Sequence, residues 1–291
     1  LADDVAGAEV APTEDVSIAG ETGDPQADAI TRAVAQVDEP YQVQTDALGA
    51  SKLSTYLRCP RAYRYQYVEK IKVPSSPAAA LGTAIHSVIQ QIHLSRWTLD
   101  QADTVADLMA STWEEIRVRT ADPDDPEAAT GAVQAANEWL PWYLHWRRDQ
   151  IDVAVEERWE LTVTNLGPAV TLRGTIDRVY RADGKSVLSD VKSGKRAPSE
   201  QDLATDLQLS IYAWACRECG FEPDGIEIVM LRSKKVLQTA RTSAYLDGVI
   251  SHTVLPAAQG IAAGVFPCNP SSRFGCGYCD FQSLCPVGKG S

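Results

Sequence analysis

The sequence predicts an α/β fold in which a central mixed β-sheet is flanked by helices. Three observations carry this. Residues from Ser51 to about 150 show apolar positions at helical spacing, residues 151–242 switch to period-two alternation, and one further helical stretch interrupts the alternating runs at about 200–219. Helices, then a β-meander, then a helix and more strands make one domain with both antiparallel and parallel strand pairs. No repeat interrupts that order.

Residues 1–45 form an acidic tail, rich in Ala, Asp, Glu, Gly, Pro and Thr with no aromatic before Tyr41, and are expected to be disordered. Residues 46–291 make the single domain. Ser51 is an N-cap candidate for a helix through SKLSTYLRCPRAYRYQYVEKI. A helical part spans 78–150. Its first helix runs to about Trp97, with Ile85, Ile89 and Ile92 at i, i+4, i+7. Helices at 100–119 and 127–149 follow, separated by the breaker ADPDDPE. Trp139, Trp142, Tyr143 and Trp146 form a stripe on the last of these, read as core rather than as a base-stacking platform.

The sheet core spans 151–242. In VAVEERWELTV, Val153, Val155, Glu157, Trp159, Leu161 and Val163 alternate onto one face of a first strand. A second strand covers 169–182, and DGK turns the chain into a third at 186–194. After the helix at 200–219 a strand pair is expected at 226–242, then a last helix at 244–263 and a C-terminal loop built around cysteines.

The bulk numbers exclude several classes. No apolar run approaches the roughly 18 residues of a membrane span, and the acidic N-terminal stretch is no signal peptide, so a cytoplasmic location without a membrane partner is expected. The net charge of −12 does not argue against nucleic acid. Residues 1–50 hold eleven acids against Arg32 alone, leaving −2 for the rest of the chain, which can still carry a basic groove. Seven cysteines, an odd number, speak against a disulfide framework and for metal or cluster ligation by those that group.

The chemical signal lies on the second and third strands. Asp177 ends GTID, and Asp190 and Lys192 lie two apart in SDVK, on one face of their strand. The short DGK turn makes these strands antiparallel neighbours, so two carboxylates and an ammonium converge. Carboxylate oxygens suit Mg²⁺ or Mn²⁺, which can polarise a phosphodiester and lower the pKa of bound water, while a lysine orients a nucleophile or steadies developing charge. Read alone, the pattern also fits a solvated strand face with cross-strand ion pairs. His86 adjoins the Ile85/Ile89 stripe, and Gln208 and Tyr212 share a helix face just after the lysine strand.

Gly82–His86, Gly174–Asp177, Asp190–Lys192 and Gln208–Tyr212 read, in that order, as G-x-x-x-H, G-x-x-D, D-x-K and Q-x-x-x-Y. In this the chain resembles the RecB branch of the PD-(D/E)XK nucleases over roughly residues 51–285. The resemblance implies a restriction-endonuclease-like core and a metal-dependent deoxyribonuclease. It implies that His86, Asp177, Asp190 and the Val191 carbonyl hold Mg²⁺ or Mn²⁺, that Lys192 assists the nucleophile, and that Gln208 and Tyr212 orient the site or the DNA. Glu157 is an accessory carboxylate candidate.

Cys276, Cys279 and Cys285 form C-x₂-C-x₅-C, with Cys59 the best fourth ligand and Cys268 a spare. Four thiolates hold either Zn²⁺ or an iron–sulfur cluster, and spacing does not separate them. A subset of the resembled family, including AddB and the CRISPR-adaptation nucleases, carries one cysteine before the nuclease core and three after it. That likeness implies a [4Fe–4S] cluster clasping 51–66 to 266–288. Cys216 and Cys219, on a helix, read as ordinary thiols. No G-x-x-x-x-G-K-[ST] loop occurs, so no ATP-driven motor is built in. The functions in view are a single-strand-preferring exonuclease of repair or recombination acting on single strands or duplex ends, unaided or with a separate helicase; a CRISPR-adaptation nuclease; and, from another class, a non-catalytic iron–sulfur subunit that binds DNA ends.

Overall fold

The computed structural model describes residues 47–164, 169–270 and 276–287; the tail expected at 1–45 lies outside them. Helix α1 is Ala50–Arg58 and α2 is Pro60–Tyr63, continued by a π turn at Arg64–Val68. The single helix expected here is broken at Cys59, whose backbone is extended (φ −159°, ψ 107°), because a following proline disfavours the α conformation. Helix α3, Pro77–Leu94, starts where the Ser76 hydroxyl accepts the Ala79 amide at 3.2 Å. Then come α4 (Ala102–Arg117), α5 (Pro126–Gln134), a π turn at Ala135–Trp139, and α6 (Leu140–Trp146).

The sheet strands are β1 (Ile151–Val163), β2 (Val170–Ala182) and β3 (Lys185–Lys192). Helices α7 (Glu200–Ala204) and α8 (Leu207–Glu218) cross over to β4 (Gly225–Met230) and β5 (Lys235–Thr239). Last come α9 (Ser243–Val249), a π turn at Ile250–Val254 and α10 (Leu255–Ala262). The long helices expected at 127–149 and 244–263 are thus each widened by one π turn, ending two residues before Pro141 and Pro256 respectively. A proline offers no N–H and its ring collides with the carbonyl four residues back; a π turn supplies the room without ending the helix.

The five strands lie in the order β1-β2-β3-β4-β5. All pairs are antiparallel except β3 with β4, which the α7–α8 crossover makes parallel. The mixed sheet is as expected. The β2–β3 hairpin closes on Ala182↔Lys185, and its two turn residues, Asp183 (φ 51°) and Gly184 (φ 76°), have the left-handed backbone that a two-residue turn demands.

One face of the sheet packs on α1, α8 and α10 through Leu53, Leu188, Leu209, Ile228 and Ile261; the other packs on the helical insertion through Ile85, Ile92, Met109, Leu140 and Val229. The tryptophan stripe serves that second core: Trp139 and Tyr143 are buried, and Trp142 stacks on Trp146 at 6.1 Å.

A buried charge cluster locks the insertion onto the sheet. Asp152 of β1 accepts from Arg178 Nε of β2 at 2.7 Å and from Arg147 Nη2 at 3.0 Å. His93 Nδ1 of α3 lies 2.7 Å from the same carboxylate, and its Nε2 is 2.8 Å from the Tyr143 hydroxyl. Burial works against the Asp152 charge, but His93 and Arg178 outweigh it and hold the carboxyl well below the usual range. A carboxyl depressed in this way contributes its stability above about pH 4 and loses it as pH falls further. Arg178 is 1% exposed, so Asp152→Ala strands a buried guanidinium and should cost about 3–5 kcal/mol. Urea unfolding at pH 7 checks this; a loss under about 1 kcal/mol would show that the cluster is incidental.

Candidate active site

The site forms where β2 and β3 part. Their pairing runs no further than Arg178↔Ser189, and the next residues along each strand are Asp177 and Asp190. The Val191 amide donates to Asp177 Oδ2 at 3.2 Å. Val191 thus meets Asp177 through its N–H. From α3, His86 brings Nδ1 to 3.6 Å from Asp177 Oδ2. Gly82, one turn earlier on that helix, passes Ser193; a Cβ there would sit 3.5 Å from the serine Oγ, an ordinary contact.

A third donor joins them that the residue pattern did not reveal. Glu156 lies between Val155, opposite Arg178, and Glu157, opposite Ile176, so it faces Asp177 across the two strands. His86, Glu156 and Asp177 each offer a ligand atom within 4.8 Å of the others. The expected alternation along β1 fails here for two local reasons. The register shifts between Asp152 and Ala154, and Glu156 has a left-handed backbone (φ 49°). Val153 is therefore exposed, and so is Glu157, the accessory carboxylate expected from strict alternation. Burial and the Asp177 charge raise the Glu156 pKa, while His86 opposes the shift. One imidazole nitrogen and two carboxylates are a donor set that fits a divalent cation of the Mg²⁺ or Mn²⁺ kind. A cleft of about 290 Å³ lined by Thr83, His86, Ser87, Gln90 and Glu156 opens beside them.

Asp190 stands behind this group rather than within it. It is 2% exposed; Gln208 Nε2 donates to its Oδ1 at 3.0 Å and Lys192 Nζ lies 2.8 Å from Oδ2. Burial dominates and, with Asp177 nearby, lifts its pKa to about 6 although Lys192 pulls the other way. Burial likewise works against the Lys192 ammonium, but Asp190 and Asp177 hold its pKa above the usual value. Asp206 caps α8 by accepting the Leu209 amide at 2.8 Å, which starts the helix where Gln208 reaches Asp190. One turn on, Tyr212 bonds with Gln208, and its pKa is pushed up to about 12 by burial and by Asp177, so it stays a neutral hydroxyl. Its ring meets Trp159 edge-on at 6.2 Å. Gly174 keeps Trp159 in place, since a Cβ there would come within 2.8 Å of the indole.

Four cysteines gather in a separate small core. Cys59, Cys268, Cys279 and Cys285 pack about Ala62, Tyr65 and Phe281, while Cys276 opens the 3₁₀ turn Cys276–Tyr278. Cys268 Sγ lies 3.3 Å from Cys285 Sγ, so the spare cysteine is inside the group. Cys216 is buried within α8 and Cys219 is exposed at its end, apart from this cluster. The Arg61 amide and Nε donate to the carbonyls of Pro267 and Phe266, and Asn269 donates to that of Arg58.

Two outcomes follow from the geometry. Glu156→Gln should lower metal-dependent cleavage by more than the roughly 10–100-fold typical of losing a ligand's outer partner, and Glu157→Gln should leave it within about twofold; a Mn²⁺ titration of both variants decides. Asp190→Asn should abolish cleavage yet stabilise the metal-free protein. A carboxyl whose pKa is higher folded than unfolded holds its proton more tightly when folded. Its contribution is most favourable below about pH 4 and is lost as pH rises towards 6. At pH 7 the neutral amide should therefore add on the order of 1–2 kcal/mol, seen as a higher Tm. A lower Tm would mean that the Lys192 pair outweighs burial.

The family model of the PD-(D/E)XK nuclease superfamily matches residues 47–286. The Gene 69 protein of Mycobacterium phage D29 is 25% identical over 282 residues, covering 85% of this chain and 99% of the phage protein. The crystal structure of SSO0001 aligns with 90% of this chain and 95% of its own, at 15% identity and a TM-score of 0.41. Among the described residues no helix is long and apolar enough to cross a membrane. With the family model spanning most of the chain, this protein belongs to the PD-(D/E)XK nuclease superfamily, whose members hydrolyse phosphodiesters with divalent metal ions.

Proposed function

We propose that this protein is a Mg²⁺- or Mn²⁺-dependent deoxyribonuclease of the RecB type, a single-strand-preferring exonuclease used in DNA repair or recombination. The observation that carries this reading is the convergence of His86, Glu156 and Asp177 into one ligand group, with the Asp190–Lys192 pair beside it. His86, Glu156 and Asp177 would hold the cation. When bound, it supplies Lewis-acid activation of the phosphodiester and of the attacking water. Lys192, half-exposed at the mouth of the site, places a positive charge where negative charge builds on the phosphate. Gln208 fixes the Asp190 carboxylate, and Asp190 in turn fixes the ammonium, so the lysine is aimed by a buried chain of contacts. Tyr212, neutral at working pH, is a hydroxyl donor beside these carboxylates. The intact charged set argues against a subunit that binds DNA ends without cutting.

The same reading assigns a [4Fe–4S] cluster to Cys59, Cys276, Cys279 and Cys285. The packing of Cys59, Cys279 and Cys285 together where α1 and α2 meet the C-terminal segment favours it, with Cys276 opening the turn three residues before Cys279. The Cys268 contact with Cys285 makes Cys268 the substitute ligand.

Two experiments test the proposal. End-labelled single- and double-stranded DNA should be degraded with Mg²⁺ or Mn²⁺, faster when single-stranded, and not in EDTA. Lys192→Ala should lose at least about 10²-fold in rate, as removal of a transition-state charge partner does, while still binding DNA. Wild-type turnover by that variant would end the mechanism. Anaerobically purified protein should be brown with iron bound. Cys59→Ser should bleach it and lower its stability, while Cys216→Ser keeps the colour; one zinc and no iron would replace the cluster by a zinc clasp.

A further inference from the structure

Beyond the metal centre, the outer ends of β1 and β2 carry a second feature, a groove of about 650 Å³ whose lining includes Lys52, Arg158, Trp159, Glu160, Arg173 and Thr175. Three cations face one carboxylate there. Along β2 the buried Leu172 and Ile176 flank Arg173 and Thr175, so those two project to the other side of the strand. Arg158 pairs with Thr175 across β1 and lies beside it. Arg158 and Arg173 are exposed, and neither guanidinium has a hydrogen bond or ion pair among the described residues. The Lys52 ammonium stands over the Tyr67 ring at 5.7 Å. By contrast, Arg147, Arg178 and Arg217 elsewhere in the chain are paired with carboxylates.

Two unpaired guanidiniums in one groove are suited to phosphate oxygens, which they can grip with two parallel hydrogen bonds. The groove and the metal site are built on the same two strands. Arg158 is two residues from Glu156, and Arg173 is four residues from Asp177, about 13 Å along an extended strand. That is a length of a few nucleotides.

We propose that this groove is the track for the phosphodiester backbone of the nucleic-acid strand being cut, with Arg158 and Arg173 gripping phosphates a few nucleotides from the scissile bond. This rests on the nuclease reading above and adds the direction of the strand's path, along β1 and β2 away from His86. Contacts of this kind go to phosphates and are indifferent to base sequence.

The test uses the full chain bearing Lys192→Ala, to remove cleavage, and a fluorescently end-labelled single-stranded oligonucleotide. Adding Arg158→Ala with Arg173→Ala should weaken binding about tenfold and reduce the salt slope of log K by about 1.4, some 0.7 for each phosphate that is no longer neutralised on a single strand. Arg173→Glu alone should weaken it further than Arg173→Ala, whatever the small changes in folding. Arg119→Ala, an exposed arginine on the C-terminal side of α4 paired with Glu115, is the control and should change neither quantity. Unchanged affinity and slope in the double variant would overturn the track while leaving the nuclease intact. If the wild-type chain binds through these arginines but never cleaves, the track stands and the catalytic reading falls. Failure of the wild-type chain to bind any oligonucleotide would remove both.

Discussion

The geometry of this molecule depends on the Asp152 carboxylate. Among the described residues it is the acceptor shared by α3, by the end of α6 and by β2, through His93, Arg147 and Arg178. His93 and His86 lie seven residues apart on α3, two helical turns on one face; Arg178 is the neighbour of Asp177. Tying His93 to Arg178 therefore fixes the height at which α3 crosses β2, and with it the approach of His86 to Asp177. Ions withdrawn from water in this way tolerate little displacement, since losing one partner leaves another uncompensated. A helix held by apolar contact alone could slide by a rotamer; one pinned by a shared, partly buried carboxylate cannot do so cheaply.

The site itself runs in the opposite sense. Asp152 is surrounded by cations that repay its burial, whereas Asp190 is buried deeper with one partly exposed lysine and an amide for company. Glu156, Asp177 and Asp190 crowd charge of one sign onto the point where two strands diverge; burial first, and then the neighbouring Asp177, raises the pKa of both Glu156 and Asp190. Such crowding lowers stability in the absence of a counter-charge and is what a divalent ion would relieve. The two clusters lie on the same strands within a few residues of each other, so the rigid one holds the strained one in shape.

How much of this could be read from the chain follows from which residues obey regular periods. Asp177, Asp190 and Lys192 sit on regular strands, so period two and the short turn placed them together from the sequence, whereas period 3.6 gave Gln208 and Tyr212 only a shared helix face and the family likeness joined them to the site. Their order along the chain carried the superfamily likeness, and the mixed sheet followed from the strand–helix–strand order. Glu156 escaped because its left-handed backbone and the nearby bulge shift β1 out of alternation, and no residue type there announces it; strict alternation pointed to Glu157 instead. The Asp152 cluster escaped for another reason: its members are scattered from His93 to Arg178, and only tertiary packing joins them. The π turns had a readable cause in Pro141 and Pro256, but proline in a helical pattern equally suggests a break or a kink. Cys268 was readable only as a reserve, since its closeness to Cys285 depends on how the C-terminal segment folds back.

The cysteine end bears on the site through the chain's own connections. Leu48 forms a parallel bridge with Leu172, exchanging backbone hydrogen bonds with Thr171 and Arg173 on the edge of β2 that β3 leaves free. That places the start of α1, with Lys52, beside the basic groove. At its far end α1 runs into Cys59 and the C-terminal segment, where Tyr56 donates to the Val265 carbonyl at 2.7 Å and Tyr65 to that of Leu284 at 3.3 Å. The segment after α10 contributes few buried apolar residues beyond Phe266 and Phe281 among those described, so these hydrogen bonds carry much of its attachment. A tie between the thiols of Cys59 and those of 276–285 would hold α1 at one end while Leu48 holds it at the other. Such a tie would make the helix a strut across the open edge of β2, and the width of the basic groove would then depend on the opposite end of that helix.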